Sequence, residues 1–241
     1  MAMVTSTRTG APRIKPFAWS YSRLKNFEVC PKRHYELDLN PAKTYKEPDD
    51  PNGPLAWGNA VHAALAARCG EKRVPLAPEF ELYEPWAAKI LGGALPEQVF
   101  VEQDLAINKD FAATAYFGSD AWFRAKGDLV KIVGDVALLV DWKTGKILED
   151  SFQLALLAAC VFAKWPHVKA ARCAFVWLKE DAESSEVFMR EDMPRMWRTL
   201  WPRIGELEAA HVHQNYPPNP CRMCRAWCAV KACPNNGKTF P

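Results

Sequence analysis

Asp128, Asp141 and Lys143 are the residues of this chain best spaced to do chemistry. They lie in the stretch 126–146, KGDLVKIVGDVALLVDWKTGK. The unbroken apolar run 136–140, VALLV, suits a strand buried on both faces. It ends in Asp141-Trp142-Lys143, and alternate residues of a strand share a face, so Asp141 and Lys143 point the same way. Upstream, 129–133 is a second apolar-rich run, and Gly134-Asp135 between the two suits a two-residue type II′ hairpin. Pairing Val133 with Val136 then brings Asp128 opposite Asp141, with Cβ atoms about 5 Å apart, where like charges repel. A hard divalent cation such as magnesium compensates such a pair, because it takes oxygen ligands and keeps several waters. Lys143 beside it is a point charge for a phosphate. The alternative is a surface hairpin with solvated ends. It is weakened by the convergence of three charged groups at the edge of a strongly apolar sheet.

A second candidate centre is thiol-based. Cys221, Cys224, Cys228 and Cys233 are clustered, whereas Cys30, Cys69, Cys160 and Cys173 are scattered. No secretory signal pattern opens the sequence, so a dense cluster reads as metal ligation before disulfides. Four thiolates suit a zinc knuckle or an iron–sulfur cluster. If only three tail cysteines are used, Cys30 is the best-placed fourth. It precedes Pro31 at a helix junction, beside Lys32, Arg33 and His34. Alone, it reads as a small buried hydrophobe.

Three further residues carry both a bland and a functional reading. His62 sits on a small-residue helix, 58–69, as a hydrogen-bonded core residue or as a metal ligand. Glu102 lies on the first strand, where a solvent-facing position is the simpler account. Gln153 falls in the first turn of an otherwise apolar helix, solvated or aimed at the strand end before it. Lys32, Arg33, Lys126, Arg222 and Arg225 are candidate phosphate contacts; an exposed charged face explains such residues as well.

The elements that must position these groups follow from periodicity. Helices are expected over 20–39 (capped by Ser22, broken at Cys30-Pro31), 58–69, part of 78–95, after the Asp150/Ser151 cap, and 193–214 with Pro202 inside. Strands are expected over 98–108, 111–117, 121–133, the Asp141 run, 170–179 and 185–190. The chain has 241 residues, 49% hydrophobic and 24% charged, with a net charge of +3. That suits one large globular domain, and the charge is too small to argue nucleic-acid binding alone. No apolar run is long enough to span a bilayer. The expected organisation is a flexible basic arm, 1–19, a single domain, 20–234, and a tail, 235–241. Within the domain, 20–97 is helical, 98–190 holds the sheet, 191–215 is a long helix and 216–234 is the cysteine tail. The Pro-rich loop 40–53 reads as a linker or a mobile flap.

Taken together, the motif residues resemble the RecB-type nucleases of the PD-(D/E)XK superfamily over 20–234. The resemblance rests on Gly58 to His62 (G-x-x-x-H), Asp128, Asp141-Trp142-Lys143-Thr144-Gly145, Gln153, and an opening with Ser22, Leu24, Cys30-Pro31 and Tyr35. The tail Trp227-Cys228 to Cys233-Pro234 resembles the iron–sulfur branch, which includes the AddB nuclease domain, the CRISPR adaptation exonucleases and phage-type exonucleases. Two departures stand out: four tail cysteines in place of three, and Leu157 where a tyrosine is usual.

The resemblance implies an α/β, restriction-endonuclease-like core with a mixed sheet flanked by helices. It implies a metal cluster that joins the N-terminal helix to the cysteine tail. Catalysis would fall to Asp128, Asp141, Lys143 and Gln153. Magnesium or manganese would sit on His62, Asp128, Asp141 and the Trp142 carbonyl, with Glu102 a weaker match. A 4Fe–4S cluster would sit on Cys30, Cys224, Cys228 and Cys233, with Cys221 a substitute for Cys224 and structural zinc the alternative cofactor. The implied activity is metal-dependent DNA exonuclease chemistry on single strands or duplex ends, in recombination, repair or phage DNA processing. The implied setting is the cytoplasm (a bacterial host's, if phage-encoded), with a recombination or replication protein as partner and no membrane. The alternatives are a non-catalytic DNA-binding adaptor with a zinc knuckle, and a nuclease acting on RNA.

Overall fold

The computed structural model describes residues 17–40, 42, 50–148 and 150–240. Residues 1–16 of the expected arm, most of the 40–53 loop and Glu149 lie outside those residues; the arm's last residue, Trp19, is buried and bridged to Phe123 rather than free. Five strands form one mixed sheet in the order β1-β2-β3-β4-β5. They are β1 (Val99–Ile107), β2 (Phe123–Val133), β3 (Val136–Lys143), β4 (Ala170–Trp177) and β5 (Ala182–Met189). Only the β3–β4 pair is parallel. A parallel pair needs a crossover, and helix α5 (Ser151–Lys164) supplies it.

Helices cover both faces. On one, α1 (Tyr21–Val29), α5 and α6 (Met193–His213) join Leu105, Val130, Ile132, Ala137 and Leu139 in the larger core. On the other, α3 (Pro54–Cys69) and α4 (Glu84–Leu91) pack on Leu129, Val140, Trp142 and Val176. Along β3, Leu139 goes to one core and Val140 to the other, which is why 136–140 contains no polar residue. After α1, a single turn, α2 (Pro31–His34), passes into a π-helical turn, Tyr35–Leu39.

The β2–β3 hairpin has the expected register: Val133 pairs with Val136 and Leu129 with Val140. Gly134 has φ 60°, as the first position of a type II′ turn requires. Three local expectations are corrected. The 111–117 segment is not a strand but part of a loop, 108–122. Asn108 Oδ1 accepts the N–H groups of Asp110 and Ala112, turning the chain away from the sheet. The cap of α1 is Ser20, whose Oγ accepts the Arg23 N–H, rather than Ser22. Asp150 does precede α5, but its side chain makes no cap bond and instead accepts from the Tyr21 hydroxyl at 2.5 Å.

The sheet is distorted at one place, where its alternation changes phase. On β1, Phe100 packs against the larger core from an even position, while Leu105 and Ile107 do so from odd ones. β2 switches phase likewise, between Phe123 and Val130. The switch falls where Glu102 lies across from Asp128, between the pairs Val101–Leu129 and Gln103–Gly127. Glu102 has φ 48°, a left-handed conformation that a side-chain-bearing residue adopts rarely and at a cost of about 1–3 kcal/mol.

Candidate active site

Continuing the hairpin register past Leu129–Val140 places Asp128 across from Asp141. They are two of the three buried polar or charged residues among those described, the third being His34. Asp128 is fixed from two sides. Its Oδ2 accepts the Trp142 N–H at 2.7 Å, and its Oδ1 lies 3.3 Å from His62 Nδ1. The hydrogen bond to Asp128 pushes the His62 imidazole pKa up against the opposing effect of burial. Helix α3 brings His62 there by close approach: a Cβ on Gly58 would stand 3.1 Å from Thr144 Oγ1, on the loop after Lys143.

The left-handed turn at Glu102 adds a third donor. Ligand atoms of His62, Glu102 and Asp128 all lie within 4.8 Å of one another. Glu102 is exposed as a residue, but partial burial of its carboxyl, and then the Asp128 charge, raise its pKa. Asp141 is not in that tight group. Its Oδ2 ion-pairs with Lys143 Nζ. Beyond that ion pair, this buried oxygen has no partner among the described residues. Burial pushes the Asp141 carboxyl up to about 6; Lys143 opposes the rise and Asp128 adds to it. A pair of buried carboxylates, one with an oxygen met only by the Lys143 ammonium, beside an imidazole and a third carboxylate is a donor set that fits a hard divalent cation.

Asp128, Asp141, Lys143 and Gln153 all line one groove of about 740 Å³. Its cations are Lys25, Arg124, Lys126, Lys143 and Lys146, against the acids Asp128, Asp141 and Asp150. Lys143 also lies over the Phe175 ring, 4.9 Å from its centroid. Of the basic residues singled out in the sequence, Lys126 lines the groove and ion-pairs with Asp104 at 3.2 Å. Lys32 is 3.5 Å from Glu36, and Arg33 donates to Asn26, so both are committed within the N-terminal helices. Arg222 and Arg225 are exposed on the tail. Sequence reasoning did not single out Lys25 and Arg124, since isolated cations carry no spacing signal; Lys146 entered it only as the end of the stretch that begins at Asp141.

The five candidate cysteines Cys30, Cys221, Cys224, Cys228 and Cys233 line a single pocket and form no disulfide. The tail is fastened to the α1–α2 junction there. Asn219 donates its backbone N–H to Cys30 Sγ at 3.3 Å and its side-chain amide to the Val29 carbonyl at 3.1 Å. Lys32 N–H reaches the Pro217 carbonyl at 3.2 Å.

A mixed α/β sheet with paired acids, a lysine at one strand end and a cation-lined groove defines a phosphodiester-cleaving class of protein. The chain belongs to the PD-(D/E)XK nuclease superfamily, whose description matches residues 18–234. Among solved structures it is similar to a protein from Eubacterium rectale named for an inferred exonuclease activity. The identity is 12% and the TM-score 0.52, over 97% of this chain and 95% of that one. It is also similar to a protein designated SSO0001, at 13% identity and TM-score 0.43, over 91% and 87%. At such identities the likeness speaks for the fold alone. No curated protein matches the chain. No helix among the described residues is long and apolar enough to cross a membrane.

Proposed function

We propose that this nuclease is a magnesium- or manganese-dependent DNA exonuclease of the RecB type. The observation that carries the reading is the convergence of His62, Glu102 and Asp128 beside the Asp141–Lys143 pair on a cation-lined groove. His62, Asp128, Asp141, the Trp142 carbonyl and, through the kink in β1, Glu102 would hold the ion. The bound ion supplies Lewis-acid polarisation of a phosphoryl oxygen and a bound water of lowered pKa.

The chain's own residues do the rest. Trp142 N–H and His62 hold Asp128 in one orientation, so the site is set before substrate arrives. Lys143, steadied over Phe175, presents its ammonium where negative charge grows on the phosphate. Gln153, on the first turn of α5, lines the same groove and positions the phosphate or Lys143. The remaining cations hold the strand by its backbone, which makes binding salt-sensitive.

The cysteine pocket is proposed to hold a structural 4Fe–4S cluster on Cys30, Cys224, Cys228 and Cys233, with Cys221 able to replace Cys224. The convergence of Cys30 with the four tail cysteines on one pocket supports a metal–thiolate centre, with structural zinc the alternative occupant. Such a closure would staple the N-terminal helices to the C-terminal tail.

The test is a time course on 5′- and 3′-labelled single- and double-stranded DNA with manganese, with RNA in parallel. Wild type should degrade DNA from an end, and Asp141→Asn should not. Equal digestion by both would refute the site. Anaerobically purified protein should be brown, and Cys228→Ser should lose that absorbance; a colourless protein with one zinc would refute the cluster.

A further inference from the structure

Beside the catalytic groove lies a second cavity, of about 490 Å³, whose lining includes Arg23, His34, Phe117, Arg124 and His211. Its size falls among small-ligand pockets, which run from about 300 to 1,000 Å³. Arg124 lines both cavities and so joins them. Among the described residues the Arg124 side chain has no ion pair, and its buried Nε has no hydrogen-bond partner. The acid of this cavity, Asp38, is already taken up by His34 at 2.9 Å and Asn26 at 3.1 Å. Among the described residues, a guanidinium without an ion pair is therefore left at the junction.

Two aromatic rings flank it. Arg124 lies 5.8 Å from the Tyr116 ring centroid and 5.6 Å from that of Phe117. Tyr116 lines the groove and Phe117 the second cavity, their rings edge to face at 4.9 Å. Phe117 is 82% exposed, the most exposed large apolar side chain among those described. A lone exposed phenylalanine is commonplace. This one is held out on a fastened loop. Phe111 of the same loop stacks on Trp197 at 4.7 Å, Thr114 Oγ1 donates to Asp120 at 2.6 Å, and Lys109 ion-pairs with Glu208. An exposed ring on such a loop beside an arginine that has no ion pair among the described residues is how single-stranded nucleic acid is gripped: bases stack on the ring while the cation takes a phosphate. Arg124 and Asp128 are four residues apart on β2, so roughly 13 Å, about two phosphate steps along an extended strand.

We propose that this second cavity is a subsite for one unpaired nucleotide, two phosphates from the scissile bond, with its base stacked on Phe117 and its phosphate held by Arg124. The proposal rests on the nuclease reading of the groove, and names the end it accepts as single-stranded. It is tested by fluorescence anisotropy in the Asp141→Asn protein. The probes are short single-stranded oligodeoxynucleotides carrying one abasic position, moved stepwise from each end.

One position should cost about tenfold in affinity when abasic. Phe117→Ala should cost the same on the intact oligonucleotide and nothing more on that abasic one. Arg124→Met should weaken every oligonucleotide. In the otherwise wild-type enzyme, Phe117→Ala should leave hydrolysis of bis(p-nitrophenyl) phosphate unchanged while lowering kcat/KM on single-stranded DNA about tenfold. Unaltered binding in Phe117→Ala, or abasic and Phe117→Ala penalties that simply add, overturns the subsite. Wild-type protein that cuts no DNA with manganese overturns the nuclease reading instead, and the anisotropy series still decides the subsite.

Discussion

Replacing Asp141 with asparagine should abolish cleavage and yet stabilise the metal-free protein. Burial raises the folded-state pKa of Asp141 from 3.8 to about 6. The folded chain thus binds this proton more tightly than the unfolded chain does. Between those two values the unfolded state is deprotonated while the native state is not, so stability falls as pH rises through the window and stays low above it. Two pKa units correspond to about 3 kcal/mol. Lys143 loses its partner in Asp141→Asn, but its side chain is 29% exposed and water takes over part of that role, leaving an expected net gain of about 1–2 kcal/mol. For a domain of this size that is an increase in Tm of about 2–8 °C.

The assay is thermal or urea unfolding in EDTA from pH 4 to pH 8. Asp141→Asn and wild type should converge near pH 4 and separate toward pH 8, the variant being more stable. Manganese should then close the gap, since an ion that binds only the folded state adds about 2.7 kcal/mol at a hundred times its Kd. An Asp141→Asn protein that melts at or below wild type in EDTA at pH 8, with no stabilisation of wild type by manganese, would refute the reasoning. The buried pair would then carry no electrostatic penalty for a cation to relieve.

Other substitutions separate the roles within the site. Lys143→Met should lower kcat at least a hundredfold while manganese still raises Tm, because the ammonium acts on the phosphate rather than on the ion; loss of the metal-dependent shift would argue otherwise. Glu102→Gln should raise the manganese concentration for half-maximal activity about tenfold, and Glu102→Gly should also gain stability by relieving the left-handed strain at φ 48°; unchanged metal dependence in Glu102→Gln would place the third donor elsewhere. Gly58→Val should impair activity more than folding, since its Cβ would press on Thr144 Oγ1 at 3.1 Å next to Lys143; full activity would show that the loop yields freely.

The sequence disclosed what is set by local chemistry and concealed what is set by distortion. A Gly-Asp pair between two apolar runs fixes a hairpin register over a few residues, so the opposition of Asp128 and Asp141 could be read without coordinates. That β3 is buried on both faces was legible in the same way, since 136–140 has no polar face to show, whereas the mixed sheet flanked by helices was implied only by the family resemblance. Glu102 was illegible because regular alternation sends it to solvent. It reaches His62 and Asp128 only through a backbone conformation that side-chain-bearing residues avoid, and no spacing rule predicts where a strand accepts that strain. The 108–122 loop misled in the opposite way. Its aromatic content looks strand-like, but Asn108 turns the chain and Phe111 takes φ 59° to stack on Trp197. Lys32 and Arg33 also contact Glu36 and Asn26 within the N-terminal helices, which sequence spacing did not show. Arg124, with nothing in its neighbourhood of sequence to mark it, is left without an ion pair among the described residues. A cation that the fold does not use itself is the one available to a ligand, and that distinction exists only in three dimensions.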